Sequence, residues 1–150
     1  MEFGTLPAVE IAEFVETLRR EGRLLANAAE AAGMDAPATG CPGWRVRDLV
    51  APMGAVHRWA TAFVTLRRQR PAPLSAVPEM PDGALVPWLR EGHAALVEAL
   101  GTAPADLVCR TFRPAPSPLA FWARRQAHET TVDVRGDVTP ARPWHGLARI

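Results

Sequence analysis

Four blocks of apolar residues recur at the spacing of an α-helix, and two proline-rich stretches separate the last three of them. Ile11, Phe14, Val15, Leu18, Leu25, Ala26, Ala29 and Ala32 form the first stripe, with Gly33 just beyond it as a stop. Val46, Leu49, Val50, Met53, Val56, His57, Ala60, Phe63 and Val64 form the second, which predicts a helix from the mid-forties to about residue 69. Pro71 to Pro81 is too rich in proline for a helix interior and reads as an extended crossover. A third helix follows, starting near Asp82 or Pro87, carrying Trp88, Leu89, Leu96, Ala99 and Leu100 and closed by Gly101. Ser117-Pro118, an N-cap followed by proline at the first helical position, opens a fourth helix that runs to about Val132. Four amphipathic helices bury their stripes most economically against one another, so an all-α four-helix bundle with long crossover loops is expected over residues 1–133. Residues 134–150 lose the helical period and read as an irregular tail.

A balance of 48 % hydrophobic and 22 % charged residues in 150 suits one globular domain. The net charge of +1 gives no reason to expect nucleic acid, and no apolar run approaches a membrane span or a signal peptide, so the cytoplasm is the expected compartment. Arg67, Arg68 and Arg70 read as a solvated helix end rather than a phosphate site. Cys41 and Cys109 do not make a disulfide framework and are expected to be reduced; Cys41, before Pro42, Gly43 and Trp44, fits a packed lead-in loop better than a reactive thiol.

Chemistry concentrates on the fourth helix. At about 100° per residue, Leu119, Trp122, Gln126, Glu129, Thr130 and Asp133 fall in one narrow arc, so two carboxylates four residues apart sit on the stripe that should pack. An unpaired carboxylate costs several kcal/mol, in order of magnitude, to strip of water. A divalent metal, an arginine, protonation or water in a cleft can compensate it. His57 lies inside the apolar arc of the second helix and reads as a core histidine, His128 points away from the Glu129 stripe, and His93 and His145 lack companions that would make them ligands. Trp59, Trp88 and Trp122 at helical spacing are core residues in the ordinary reading and the walls of a small-molecule cleft in another.

Two runs carry a resemblance: Cys41-Pro42-Gly43-Trp44 with the Asp48-Leu49-Val50 lead-in, and Trp122-Ala123-Arg124-Arg125 followed by Ala127-His128-Glu129. Together they resemble the N-terminal metal-binding domain of the mycothiol-dependent maleylpyruvate isomerase family, a branch of the DinB-like bundles. The resemblance implies a divalent metal, commonly zinc, held by one histidine of the second helix and by a glutamate and a histidine four apart on the fourth. It also implies mycothiol as the thiol cosubstrate that the metal activates. Carried over, these positions fall on Pro52, Glu129 and Asp133, so two of the three expected ligands are replaced and Glu129 with Asp133 is the metal pair that remains. Such a pair suits a hard ion better than zinc, and the metal can be absent altogether. Arg45 stands where relatives often carry a serine or threonine cap, and the family's C-terminal domain is not expected in this chain. Two readings stay open. One is a thiol-dependent isomerase or transferase domain with an incomplete metal site, taking a small-molecule thiol or substrate; the other is a non-catalytic bundle that acts as a binding or dimerisation module.

Overall fold

The computed structural model describes residues 6–38 and 40–134, with side chains from 10 to 38 and from 40 to 131. Four helices make up the bundle: α1 (Leu6–Ala32), α2 (Val46–Thr65), α3 (Asp82–Thr102) and α4 (Pro118–Val134). No strand occurs among the described residues; the one bridge, between Pro37 and Arg45, staples the loop from α1 to α2. Beyond residue 134, the expected tail lies outside the described residues.

α1 packs chiefly on α4 and α2 on α3, while α1 against α3 and α2 against α4 close the circuit. The order around the bundle is therefore α1, α4, α2, α3, and helices consecutive in sequence at either end of the chain lie diagonally. α3 and α4 are joined across such a diagonal, and α2 and α3, although neighbours, run parallel, as the contacts of Arg47 with Asp82, Gly54 with Trp88 and Arg58 with Gly92 show, so their connection must return along the bundle. Both long connections are tied down by aromatic side chains: Trp59 Nε1 donates to the Ala72 carbonyl at 2.6 Å, and Trp122 Nε1 to that of Arg110 at 3.0 Å. The rings of Trp59, Phe63, Phe112, Phe121 and Trp122 form one cluster with centroids 5.0 to 6.2 Å apart. Edge and stacked pairs of this kind contribute about 0.5–1.5 kcal/mol each beyond area burial.

Helix ends follow local chemistry. Ser117 Oγ accepts the Ala120 amide at 3.1 Å, the expected N-cap of α4. Arg45 has no side-chain cap for α2, but Asp48 supplies the other half of a capping box by accepting the Arg45 amide at 2.8 Å. α2 runs unbroken through Pro52. It stops at Thr65, four residues earlier than the periodicity suggests, because Arg67 takes a left-handed φ of 51° and the Arg68 amide reaches back to the Phe63 carbonyl at 3.2 Å. This is a Schellman ending made with arginine where glycine is usual. Arg67, Arg68 and Arg70 thus lie past the helix rather than in its last turn. Both cysteines are buried, and Cys41 packs with Ala38 and Leu49 in the loop before α2, as its neighbours suggested.

Arg67 is exposed and its backbone conformation is costly for a residue with a Cβ. Arg67→Gly is expected to stabilise the fold by about 0.5–1 kcal/mol, read as a higher urea midpoint at unchanged slope; an equal or lower midpoint would show that the arginine contributes contacts of its own.

Candidate functional site

The bundle core is split. Trp59, Phe63, Leu96, Leu100 and Trp122 belong to one apolar block, while Leu25, Val50, Met53, Leu85 and Leu89 belong to another. Between the blocks lie polar residues from α2, α3 and α4. His57 of α2, fully buried, is 3.0 Å from Thr130 Oγ1 of α4 through Nε2. Thr130 directs its own hydroxyl to Met53 Sδ at 3.8 Å, which makes His57 Nε2 the donor of the first bond. The imidazole of His93, from α3, lies 5.6 Å from that of His57, and its Nε2 donates to the Leu18 carbonyl of α1 at 2.8 Å. It gets that close because Gly22 has no Cβ; one there would run into the imidazole. Gln126, one turn from Thr130, is equally buried, and neither its amide atoms nor His57 Nδ1 has a hydrogen-bond partner among the described residues.

His93 has no companion that the sequence shows, but the fold gives it one in His57. Its position three residues before Leu96 and four after Leu89 places it on the apolar face of α3. That spacing was the available signal; its meeting with His57 depends on α3 lying beside α2.

Burial dominates the titration of these groups. It pushes His57 down from 6.5 to about 3, with smaller contributions from His93 and Arg58. His93 is lowered by the same cause, partly offset by its bond to Leu18. Both imidazoles are therefore neutral at neutral pH, which agrees with one N–H and one lone pair on each ring.

Glu129 sits at the edge of this layer rather than in its middle. Its side chain is 22 % exposed, and Oε1 is 3.2 Å from Arg125 Nε one turn earlier, a close ion pair whose N–H is not aimed well enough to count as a hydrogen bond. Arg125 is itself wedged near the rings of Phe112 and Phe121, at 5.5 and 5.8 Å. Burial lowers its pKa and Glu129 raises it. The carboxylate is thus the counter-charge of a half-buried guanidinium. Asp133 follows in the last turn of α4, and its side chain lies outside the described residues. Pro52, half-buried on α2, offers no donor atom. Contacts of Trp122 with Trp59 and Phe63, and of Thr130 with His57 and Met53, show that α2 and α4 run antiparallel. One turn further on, that register brings the Asp133 turn opposite the Pro52 turn. His128 faces away from Glu129 and meets Phe14 of α1 edge-on at 5.8 Å.

A polar layer, the Glu129 carboxylate at its edge and two long crossovers in an all-α bundle are joined by a match of residues 15–133 to the family model of the mycothiol maleylpyruvate isomerase N-terminal domain. The chain belongs to that family. No curated protein and no solved structure matches it. The divalent metal implied by the family resemblance does not fit the residues described. Among them no group of three or more His, Cys, Asp or Glu converges, Pro52 cannot ligate, and a guanidinium already holds Glu129. His57 does not complete such a group: Nε2 is committed to Thr130, and although Nδ1 keeps a lone pair, it belongs to no set of three such side chains among the described residues.

The buried imidazole makes acid the weak side of this fold. Unfolded chains protonate His57 below about pH 6.5, whereas the folded protein resists until about pH 3, so stability is intact above 6.5 and falls as pH drops between those values. The slope from this group is up to about 1.4 kcal/mol per pH unit. Urea unfolding at pH 7 and pH 5 should show a loss of about 2 kcal/mol that shrinks in His57→Met; an equal loss in the variant would place the acid sensitivity elsewhere.

Proposed function

We propose that this chain is a DinB-like domain of the mycothiol-dependent isomerase type that binds a small thiol without activating it on a metal. The observation that carries the reading is the Arg125–Glu129 pair: the one family ligand left unchanged is already neutralised by a cation, at the place where a divalent ion would need its charge. Thiol activation in such a site requires a metal or another cation to lower the thiol pKa. The residues that would hold the metal are reduced to Glu129 and Asp133, with Pro52 opposite them. Mycothiol is the ligand class supported by the family description. No helix of the described residues is long and apolar enough to cross a membrane. We place the protein in the cytoplasm, where Cys41 and Cys109 stay reduced.

A second reading keeps Glu129 and Asp133 as ligands of a hard divalent cation, favoured by their i, i+4 placement and by the partial burial of Glu129. Elemental analysis of protein purified without added metal separates the two. The binding module is expected to carry far less than one divalent ion per chain, to be unchanged in this respect by Glu129→Gln, and to show saturable calorimetric binding of mycothiol. Near-stoichiometric metal that is lost in Glu129→Gln would overturn the proposal in favour of the metal-bound enzyme.

A further inference from the structure

On the outer face of α2, away from Glu129, the proline-rich crossover leaves a groove of about 220 Å³ against α2 and α3. Its base is kept low by Ala55 and Ala62, and its apolar walls are the indoles of Trp59 and Trp88 with the rings of Pro73 and Pro78. Arg58 and Arg68 supply the charge. Of the three tryptophans of the sequence, Trp88 is the half-buried one that opens into this groove, whereas Trp59, only 4 % exposed, lines it from the aromatic core and Trp122 lies inside that core.

Two helical glycines make room for this arrangement. A Cβ at Gly54 would run into the Trp88 ring, and one at Gly92 into the Arg58 guanidinium. Glycine inside a helix costs about 1 kcal/mol relative to alanine, so the positions of Trp88 and Arg58 are obtained against local helix preference. The Arg58 guanidinium lies 4.1 Å from the centroid of the Trp88 ring and reaches back to the Gly54 carbonyl at 3.5 Å. Its nearest acid, Glu91, is mostly exposed and stands 3.7 Å away, a contact that solvent screens. Arg68 stands past the end of α2 with its guanidinium 5.9 Å from the Phe63 ring. No acidic residue lines the groove.

Two cations at flat apolar walls, in a space the size of a one- or two-ring molecule, define the ligand by complementarity. We propose that this groove binds a small aromatic carboxylate, its ring against Trp88, Pro73 and Pro78 and its carboxylate between Arg58 and Arg68. Guanidinium suits this role because its planar donors match a carboxylate and its face stacks on indole. A nucleic acid is not the fitting occupant, since two arginines in a short half-open groove do not make the extended basic stripe that a phosphate chain requires. The inference is independent of the thiol reading, because none of Glu129, Asp133 and Pro52 lines the groove.

The probe is 2-naphthoate, with 2-naphthalenemethanol as its neutral counterpart, titrated into the full chain by calorimetry and followed at the Trp88 indole N–H by NMR. Saturable binding at one site is expected, about tenfold weaker for the alcohol and about tenfold weaker for naphthoate in Arg58→Gln and in Arg68→Gln. Arg68→Gln touches neither helix packing nor the Trp88 stack and so reads charge alone if Arg58→Gln unsettles the fold. Ala62→Phe, which fills the groove and leaves both arginines, should abolish binding. No saturable binding by the native chain, equal binding of the alcohol, or naphthoate affinity unaffected by Arg68→Gln would each overturn the proposal.

Discussion

An antiparallel seam between α2 and α4 decides which side chains of this bundle can meet. At one end Trp122 packs on Trp59 and Phe63, with centroids 5.3 and 5.0 Å apart. At the other, Thr130 bonds to His57 and touches Met53. A helix anchored at two points two turns apart has no freedom to slide, since interiors are packed closely enough to resist displacements of a methylene. The aromatic end also draws both crossovers inward through Trp59 and Trp122, so loops that prolines stiffen are bound to the core that they connect.

The same register explains the electrostatics. His57 meets Thr130 in the middle of the bundle, where burial keeps the imidazole neutral, and His93 is seated beside it by the gap at Gly22. A charged residue is not tolerated at that level without a partner. Glu129, at the edge, has one in Arg125. The family fold is therefore kept while a cation of the chain itself occupies the carboxylate that the resemblance would assign to a metal. The α2–α3 groove shares Trp59 with this seam, but its arginines face out of the bundle rather than into it.

Much of this was legible because it depends on spacing. The four helices and the Ser117 cap follow from period and local hydrogen bonding, which need no partner. The burial of Gln126 and Thr130 follows from their place on one arc of α4. Arginine pairing was one of four ways to compensate Glu129, and Arg125 stands at the i, i+4 distance that realises it. What could not be read depends on tertiary placement or on backbone conformation. The early end of α2 rests on a left-handed arginine, which composition does not announce. The pairing of His57 with His93 rests on which helices are neighbours, and the splitting of the tryptophans between core and groove rests on how the crossover returns.

The central claim is geometric: the turn of Pro52 faces the turn of Asp133 beside Glu129. Placing donors on both turns tests it directly. Zinc titration of the Pro52→His, Asp133→His double replacement, in protein shown by circular dichroism to be folded, should give one tightly bound ion per chain where the native sequence gives none. A folded double replacement that takes up no zinc would contradict the register on which this account of the seam depends.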